Sequence, residues 1–206
     1  MLQLSFEELS VDYMPARDRL EQAAHDIQRV MRIAYTRAFE KQRSPQLPEG
    51  TIRRELFDET NAAKVRQQVR RISDHIIDKG SSYLLGWDND ELVGLTKTSP
   101  LRLHRRGLAK SNYYLNDVAV TYEGMGLGSA LMLEALLQYP GEQRLSLDAY
   151  EGNHRANNWF KSLGFETLDT QPTGLELRIG QIVVPQFRMQ SPYVGLVTER
   201  LAKRTS

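Results

Sequence analysis

Apolar residues recur at helical spacing in two stretches of the N-terminal half of the chain. This periodicity predicts amphipathic helices over residues 20–40 and 61–79. The apolar faces of the two helices comprise Ile27, Val30, Met31, Ala34 and Ala38, and then Val65, Val69, Ile72 and Ile76. The segment at 44–50 carries two prolines, which ends the first helix, and Gly80 is expected to cap the second.

Alternating apolar and polar residues predict strands on either side of these helices. Leu2, Leu4 and Phe6 indicate a first strand, and two apolar runs flanking residues 88–90 have the pattern of a β-hairpin. Further strands are predicted over residues 112–120 and 144–150. Two alternating patterns meet at residues 115–117, which suggests a β-bulge there.

The C-terminal half continues the alternation of strand and helix. Residues 127–139 are apolar almost all round and predict a buried helix. Asn153 is suited to cap a short helix that ends at Gly164. Late strands are expected at 166–169 or 175–179 and at 181–189, with a tail at 191–206 that is irregular or a short helix. The pattern predicts a single α/β domain over residues 1–206.

The amino-acid composition excludes several kinds of partner and site. With 27 basic and 26 acidic side chains, the charge balance gives no argument for nucleic acid or an acidic membrane as a partner. The chain has no cysteine, so disulfides and thiolate chemistry are excluded. The four histidines have no metal-ligand spacing, and we expect no metal site. The sequence pattern indicates neither a signal peptide nor a membrane span, and we expect a cytoplasmic protein.

A glycine-rich turn separates the strand at 112–120 from the helix at 127–139. Gly124, Gly126 and Gly128 alternate where the helix begins, so backbone N–H groups can approach an anion at its positive end. A dinucleotide-binding loop would need glycine at Ser129, and the Gly-Lys-Ser/Thr of a Walker loop is absent. A purely structural turn remains the alternative.

The glycine-rich turn belongs to the first of two sequence blocks that together resemble the motifs of a known protein family. VAVTYEGMGLGSA at 118–130 and NHRANNWFKSLGF at 153–165 together resemble the GNAT superfamily of acyl-CoA-dependent N-acyltransferases. The first is similar to the family's Arg/Gln-x-x-Gly-x-Gly/Ala motif, with Glu123, Gly126 and Gly128 in the defining places. The second is similar to its Asn-x-x-Ala-x-x-x-Tyr-x-x-x-Gly-Phe block, here Asn153, Ala156, Phe160, Gly164 and Phe165.

The resemblance implies a splayed mixed sheet whose two central strands part to admit the pantetheine arm of acetyl-CoA. The implied cofactor-binding residues are Val118, Ala119 and Val120 through their backbone, Met125, Gly126, Leu127, Gly128 and Ser129 at the pyrophosphate, and Asn153, Asn157 and Phe160. A homodimer is plausible by the same analogy. The alternative is a catalytically silent acyl-CoA-binding or regulatory module.

Two residues depart from the family pattern. Glu123 replaces Arg or Gln beside the pyrophosphate, and we expect its carboxylate to face solvent or to pair with a nearby base. Phe160 stands where many members have a tyrosine that protonates the leaving thiolate. Tyr150, Tyr114, Tyr122 or water are the candidates to replace that acid.

An alkylammonium ion has a pKa of about 10.4, so a primary amine is almost fully protonated at neutral pH and cannot attack in that form. A base must therefore accept its proton. Asp117 and Asp148, on the two strands that would flank the thioester, are the candidates, with Asp117 preferred. Asn116 is suited to orient a water molecule. The acceptor itself is not identified by any motif, although the basic segment at 102–110 mildly favours an acidic small molecule or peptide that carries the amine.

Overall fold

The structure is a computed structural model of the chain, and it describes residues 3–40, 47, 49–100, 113–168, 176–179, 182–191 and 193–205. The strands are β1 Leu4–Leu9, β2 Ser82–Asp88, β3 Glu91–Pro100, β4 Tyr113–Val120, β5 Leu145–Tyr150, β6 Glu166–Thr167, β7 Glu176–Ile179 and β8 Ile182–Gln190. The helices are α1 Arg17–Tyr35, α2 Thr51–Glu55, α3 Ala62–Ile77, α4 Leu127–Leu136, α5 His154–Ser162 and α6 Val194–Thr205. A π-helical turn, Thr36–Glu40, continues α1.

The strands form one mixed sheet in the order β1-β2-β3-β4-β5-β8-β6, with β7 also paired to β8. Neighbouring strands are antiparallel except β4 and β5, which are parallel. The predicted mixed α/β sheet is confirmed. The hairpin of β2 and β3 turns at Asn89, whose φ of 54° lies in the left-handed region.

Helices cover both faces of the sheet. On one face α1 and α3 pack against β2 and β3 through side chains such as Ile27, Ile72 and Leu85. On the other face α4 and α6 pack against β4 and β5, where Met132 and Val197 join the core. We refer to these as the α1 face and the α4 face.

The two parallel strands separate soon after they meet. They pair only at Tyr113 with Leu145 and at Tyr114 with Ser146, although β4 continues to Val120 and β5 to Tyr150. Beyond that point β4 remains bonded to β3 and β5 to β8. The predicted splay of the sheet is therefore present, and it opens a cleft between the far ends of the two strands.

Asn116 is the extra residue of a bulge in β4. Lys97 lies opposite Asp117, and the residue after Lys97 lies opposite Leu115, so the register passes over Asn116. Leu115 accordingly packs on the α4 face, whereas Ala119 packs on the α1 face. Asp117 shares the face of Ala119, two residues away. In a regular strand it would share the face of Leu115, so the bulge moves Asp117 to the α1 face.

Several boundaries differ from the sequence predictions. The helix expected over 127–139 ends at Leu136, and α2 was not predicted. The two positions offered as alternatives for a late strand both form strands, β6 and β7. The tail at 191–206 contains α6, a helix of 12 residues that packs against α4 and buries Val194, Val197 and Leu201. The basic segment at 102–110 lies outside the described residues.

Candidate functional site

A cavity of about 390 Å³ lies in the cleft between β4 and β5. It is bounded by the C-terminal end of α1, the glycine turn and the N-terminal half of α5. Nearly all the residues predicted for the site line it: Asn116, Asp117, Val118, Ala119, Val120, Gly126, Leu127, Gly128, Ser129, Asp148, Tyr150, Asn153, Asn157 and Phe160. The predicted Met125 is not among the lining residues, and its side chain is exposed.

The glycine turn presents the start of α4 to this cavity. Gly124 and Gly126 have φ values of 79° and 75°, in the left-handed region that glycine adopts without strain. Gly126 is the N-cap and provides no side-chain hydrogen bond to the first turn. The N–H groups of Leu127, Gly128 and Ser129 have no partner within the helix, so they are available to an anion in the cavity.

The charge of Glu123 is balanced by two arginines at the mouth of the cavity. Its Oε2 accepts a hydrogen bond from Nη1 of Arg155 at 2.5 Å, and its Oε1 lies 3.5 Å from Nη1 of Arg37. Arg37 also donates to the carbonyl oxygen of Thr121 at 2.5 Å. The expected pairing of Glu123 with a base is confirmed. One carboxylate and two guanidinium groups leave a net positive charge beside the glycine turn.

Two asparagines at the start of α5, its N-cap Asn153 and Asn157 in its first turns, line the cavity. Asn153 caps α5, its Oδ1 accepting from the N–H of Ala156 at 3.3 Å, as predicted. Asn157 donates from Nδ2 to the carbonyl oxygen of Tyr150 at 3.1 Å. Its Oδ1 is buried without a hydrogen-bond partner in the described part of the chain. A buried amide oxygen left in this state is suited to accept from an amide N–H of a bound ligand.

Phe160 forms part of the apolar wall of the cavity. Its ring lies 4.9 Å from that of Trp159 and 5.5 Å from that of Phe165, measured between centroids. The side chain is buried and has no group to donate a proton. If a side chain acts as an acid at this site, another residue must supply it.

Asp117 lines the cavity on the α1 face. Burial raises the pKa of its carboxyl group, and the positive charge of Lys97 on β3 opposes that rise. A partly desolvated carboxylate is a stronger proton acceptor than one in water, because desolvation disfavours its charged form.

Asp148 lies across the cleft and is held by an ion pair. Arg188 of β8 donates to it from Nε at 2.9 Å and from Nη2 at 3.4 Å. Only 4% of the Asp148 side chain is exposed, and the pairing raises the pKa of Arg188 against the effect of its burial. Both carboxylate oxygens are engaged, which favours Asp117 over Asp148 as a proton acceptor.

Tyr150 and Tyr35 form a pair of hydroxyl groups on the same face. Their Oη atoms lie 3.0 Å apart, and burial raises the pKa of both phenols. Asp117 adds to the rise at each of them. Both hydroxyls therefore stay protonated across the neutral range and can donate.

The sequence interpretation missed several residues that line the site. Tyr35 follows Met31 by four residues, so extending the apolar face of the first helix would have placed it beside the core. Arg37 and Arg155 give no local signal, because a lone arginine on a helix is usually solvated. Arg204 lines the cavity from α6, a helix that was not expected to contribute.

The described residues show neither a metal-binding cluster nor a membrane-spanning helix. They contain no group of three or more His, Asp or Glu side chains arranged to hold a metal ion. None of the helices in the described ranges is long and apolar enough to cross a bilayer.

Comparisons with known proteins agree with the geometry. The sequence model of the Acetyltransferase (GNAT) family matches residues 50–165, more than half of the chain. No curated protein matches the sequence. Among solved structures, the chain is similar to PaiA N-acetyltransferase from Thermoplasma acidophilum in complex with coenzyme A, at a TM-score of 0.61 and 14% identity over 92% of this chain and 99% of that one.

Two further structures show the same fold. YncA from Salmonella typhimurium, solved with its cofactor acetyl-CoA, has a TM-score of 0.56 and 12% identity over 91% of this chain and 92% of its own. An acetyltransferase of the GNAT family from Streptococcus pneumoniae has a TM-score of 0.55 and 15% identity over 92% and 99% of the two chains. At such identities the similarity establishes the shared fold.

Proposed function

Because the chain belongs to the GNAT acetyltransferase family, we propose that it transfers an acetyl group from acetyl-CoA to a primary amine by direct attack in a ternary complex. The observation that carries the proposal is the bulge at Asn116. It brings Asp117 to the face of the cleft that also carries Tyr150. An acceptor and a donor of protons thereby flank one cavity.

The described residues fit coenzyme A. The glycine turn offers N–H groups and a net positive charge for the phosphates. The free edge of β4 at 118–120 offers backbone groups to the amides of the pantetheine arm, and the unpartnered Oδ1 of Asn157 offers an acceptor. Bound acetyl-CoA supplies the thioester whose carbonyl carbon is attacked.

Asp117 takes the proton from the attacking amine, directly or through a water molecule oriented by Asn116. Nδ2 of Asn116 donates to Oγ of Ser99 at 2.8 Å, which leaves its Oδ1 to accept from water. A carbon–nitrogen bond forms at the acetyl carbon and the carbon–sulfur bond breaks. Backbone N–H groups near Val120 or the bulge stabilise the oxyanion.

Tyr150 donates a proton to the departing sulfur. Its hydroxyl lies in the cavity, and Tyr35 holds it in place through the 3.0 Å contact. Tyr150 on β5 thus donates the proton that Phe160 on α5 cannot donate. Asp148, bound to Arg188, orients the end of β5.

The second candidate function is a module that binds acyl-CoA without turnover. Phe160 favours it, because the residue in this place donates a proton in many relatives. The two functions share the cofactor site and differ only in the acetylation of an amine.

The experiment is an amine panel with the purified full chain and acetyl-CoA. The panel contains amino acids, polyamines, aromatic amines and acidic and basic peptides, with released thiol and the mass of the product as readouts. We expect thiol release that depends on the amine and matches the acetylated product. Coenzyme A binding measured by calorimetry, with no acetylated product from any amine, would instead support the binding module.

A further inference from the structure

Lys97 is a buried lysine that the acetyl-transfer chemistry above does not use. It lies on β3 directly opposite Asp117, and the residue is 7% exposed. Residues opposite each other in an antiparallel pair project from the same face of the sheet. Lys97 and Asp117 therefore both project towards α1 and α3. A buried ammonium group is retained only where partners offset its desolvation.

Two side chains hold the Lys97 ammonium group. Its Nζ lies 2.5 Å from Nδ1 of His75 on α3 and 5.4 Å from the centroid of the Tyr83 ring on β2. The Tyr83 hydroxyl lies 3.0 Å from the same Nδ1. Because an ammonium group only donates hydrogen bonds, Nδ1 is the acceptor and the ring proton resides on Nε2.

His75 remains neutral in this arrangement. Burial and the charges of Lys97, Lys79 and Arg71 lower its pKa to about 4. A neutral imidazole holds the ammonium group without adding a second positive charge. The cation facing Asp117 is therefore Lys97, with its position fixed by α3 and β2.

The phenols that face Asp117 carry no charge at neutral pH, and the Asp148–Arg188 ion pair across the cleft has no net charge. Tyr35 on α1, Tyr150 on β5 and Tyr83 on β2 all have raised pKa values, for which burial is the largest cause. Burial also lowers the pKa of Lys97, while the carboxylate of Asp117 opposes that effect. Among the described residues around Asp117, Lys97 is thus the positive charge that counters the desolvation of the carboxylate.

We propose that Lys97, held by His75 and Tyr83, is a positioning residue that keeps the Asp117 carboxylate ionised at neutral pH, so that it is ready to accept the proton of the amine. This inference rests on the proposed function, because it assigns a role to Lys97 as the partner of Asp117, the proposed base. Lys97 influences the reaction only through its effect on the Asp117 carboxylate.

The test is the pH profile of kcat with the most active amine, for wild type, Lys97→Met, Lys97→Arg and Lys79→Met. Using one amine throughout makes its own ionisation common to all variants. Removal of the positive charge that opposes the rise in the Asp117 pKa should raise that pKa further. Because Lys97 faces Asp117 across the strand pair while its Nζ contacts His75, we expect the acid limb of Lys97→Met to move to higher pH by about 1 unit, and the limb of Lys97→Arg to stay near that of wild type.

Lys79→Met is the matched control. Lys79 lies just beyond α3, is exposed and acts on His75 and Lys97, but is not among the groups that act on Asp117. Its removal should leave the acid limb in place. An unshifted limb in Lys97→Met, or an equal shift in Lys79→Met, would overturn the proposal. Loss of the limb in His75→Gln would do so as well, because it would make His75 the titrating base.

Failure of this inference and failure of the proposed function have different signatures. If Asp117→Asn removes the acid limb while Lys97→Met leaves it unmoved, only the role of Lys97 is wrong. If the limb persists in Asp117→Asn, the base itself has been assigned wrongly. Should Lys97→Met not fold, Lys97→Gln and an NMR titration of the Asp117 carboxyl carbon in wild type replace it. A midpoint below about pH 7 supports an ionised base, and a higher one contradicts it.

Discussion

The hydroxyl oxygen of Tyr150 lies 3.0 Å from that of Tyr35, so the end of β5 is tied to the end of α1 across the candidate active site. The two rings also make an edge-to-face contact, with centroids 5.9 Å apart. This pair occupies the α1 face of the cleft, whereas Phe160 approaches from α5. In the proposed mechanism, the acid that protonates the thiolate therefore lies on β5 and not on α5.

Replacing Tyr150 with Phe should lower kcat by about 10- to 100-fold and leave the KM for acetyl-CoA nearly unchanged, because the hydroxyl acts on the leaving group. Steady-state kinetics of Tyr150→Phe against Tyr35→Phe provide the measurement, and the Tyr35 variant should lose less. Restoring the family's tyrosine with Phe160→Tyr should recover part of the rate in the Tyr150→Phe background. A Tyr150→Phe enzyme with wild-type kcat would show that Tyr150 is not the acid that protonates the thiolate.

The proposed role of Tyr150 as the acid also predicts how the rate depends on pH. Burial raises the pKa of Tyr150, so its proton is present below that pKa and lost only as the pH rises through it. The ordinary phenol value is about 10, and the rate should therefore show no decline from this group below about pH 10. A fall in kcat near pH 8 that disappears in Tyr150→Phe would contradict the assignment.

Gly126→Ala should weaken coenzyme A binding by about tenfold or more. An added Cβ would enter the space at the start of α4, and its backbone would be held at a φ of 75°. Gly50→Ala is the matched control, since Gly50 precedes α2 with a φ of 76° and lies outside the cavity. Both variants should lose about 1 kcal/mol of stability or more, measured by denaturant unfolding. Equal coenzyme A affinity in the two variants would argue against phosphate binding at the glycine turn.

Glu123→Gln should change coenzyme A affinity by no more than about twofold, because Arg155 and Arg37 already neutralise the carboxylate. Arg155→Ala should weaken binding several-fold by leaving Glu123 less compensated beside the phosphates. The double variant should recover much of that loss, and calorimetry on all four proteins gives the coupling. Affinities that combine additively would show that Glu123 and Arg155 act independently on the cofactor.

Arg204→Ala should raise the KM for acetyl-CoA by about two- to fivefold at low salt, since Arg204 is an exposed cation lining the cavity. The effect should shrink in high salt because screening weakens contacts between exposed charges. Lys203→Ala is the control, as Lys203 is paired with Glu199 at 2.7 Å. A rise in KM of the same size in Lys203→Ala would assign the effect to the general charge of α6.

The sequence predicted the features that depend on local pattern. The glycine turn, the cap at Asn153, the hairpin and the bulge near Asn116 all left signals within a few residues. The face that Asp117 occupies was harder to predict, because it depends on which residue the register passes over. Alternation along β4 alone is compatible with either face.

The remaining parts of the site come from residues that are distant in sequence. Arg155 reaches Glu123 from 32 positions away, and Tyr35 reaches Tyr150 from 115. Lys97 and His75 are 22 positions apart and meet only when α3 packs on the sheet. Each of these residues resembles an ordinary surface or core residue when the chain is read in order. Their roles follow from tertiary packing.

We propose Asp117 as the base of an amine acetyltransferase. The most direct measurement is kcat for Asp117→Asn with the best amine of the panel at about pH 7.5, alongside coenzyme A affinity by calorimetry. We expect a loss of about 10²- to 10⁴-fold in kcat with coenzyme A affinity close to that of wild type. An Asp117→Asn enzyme that retains wild-type kcat across the neutral range would contradict it.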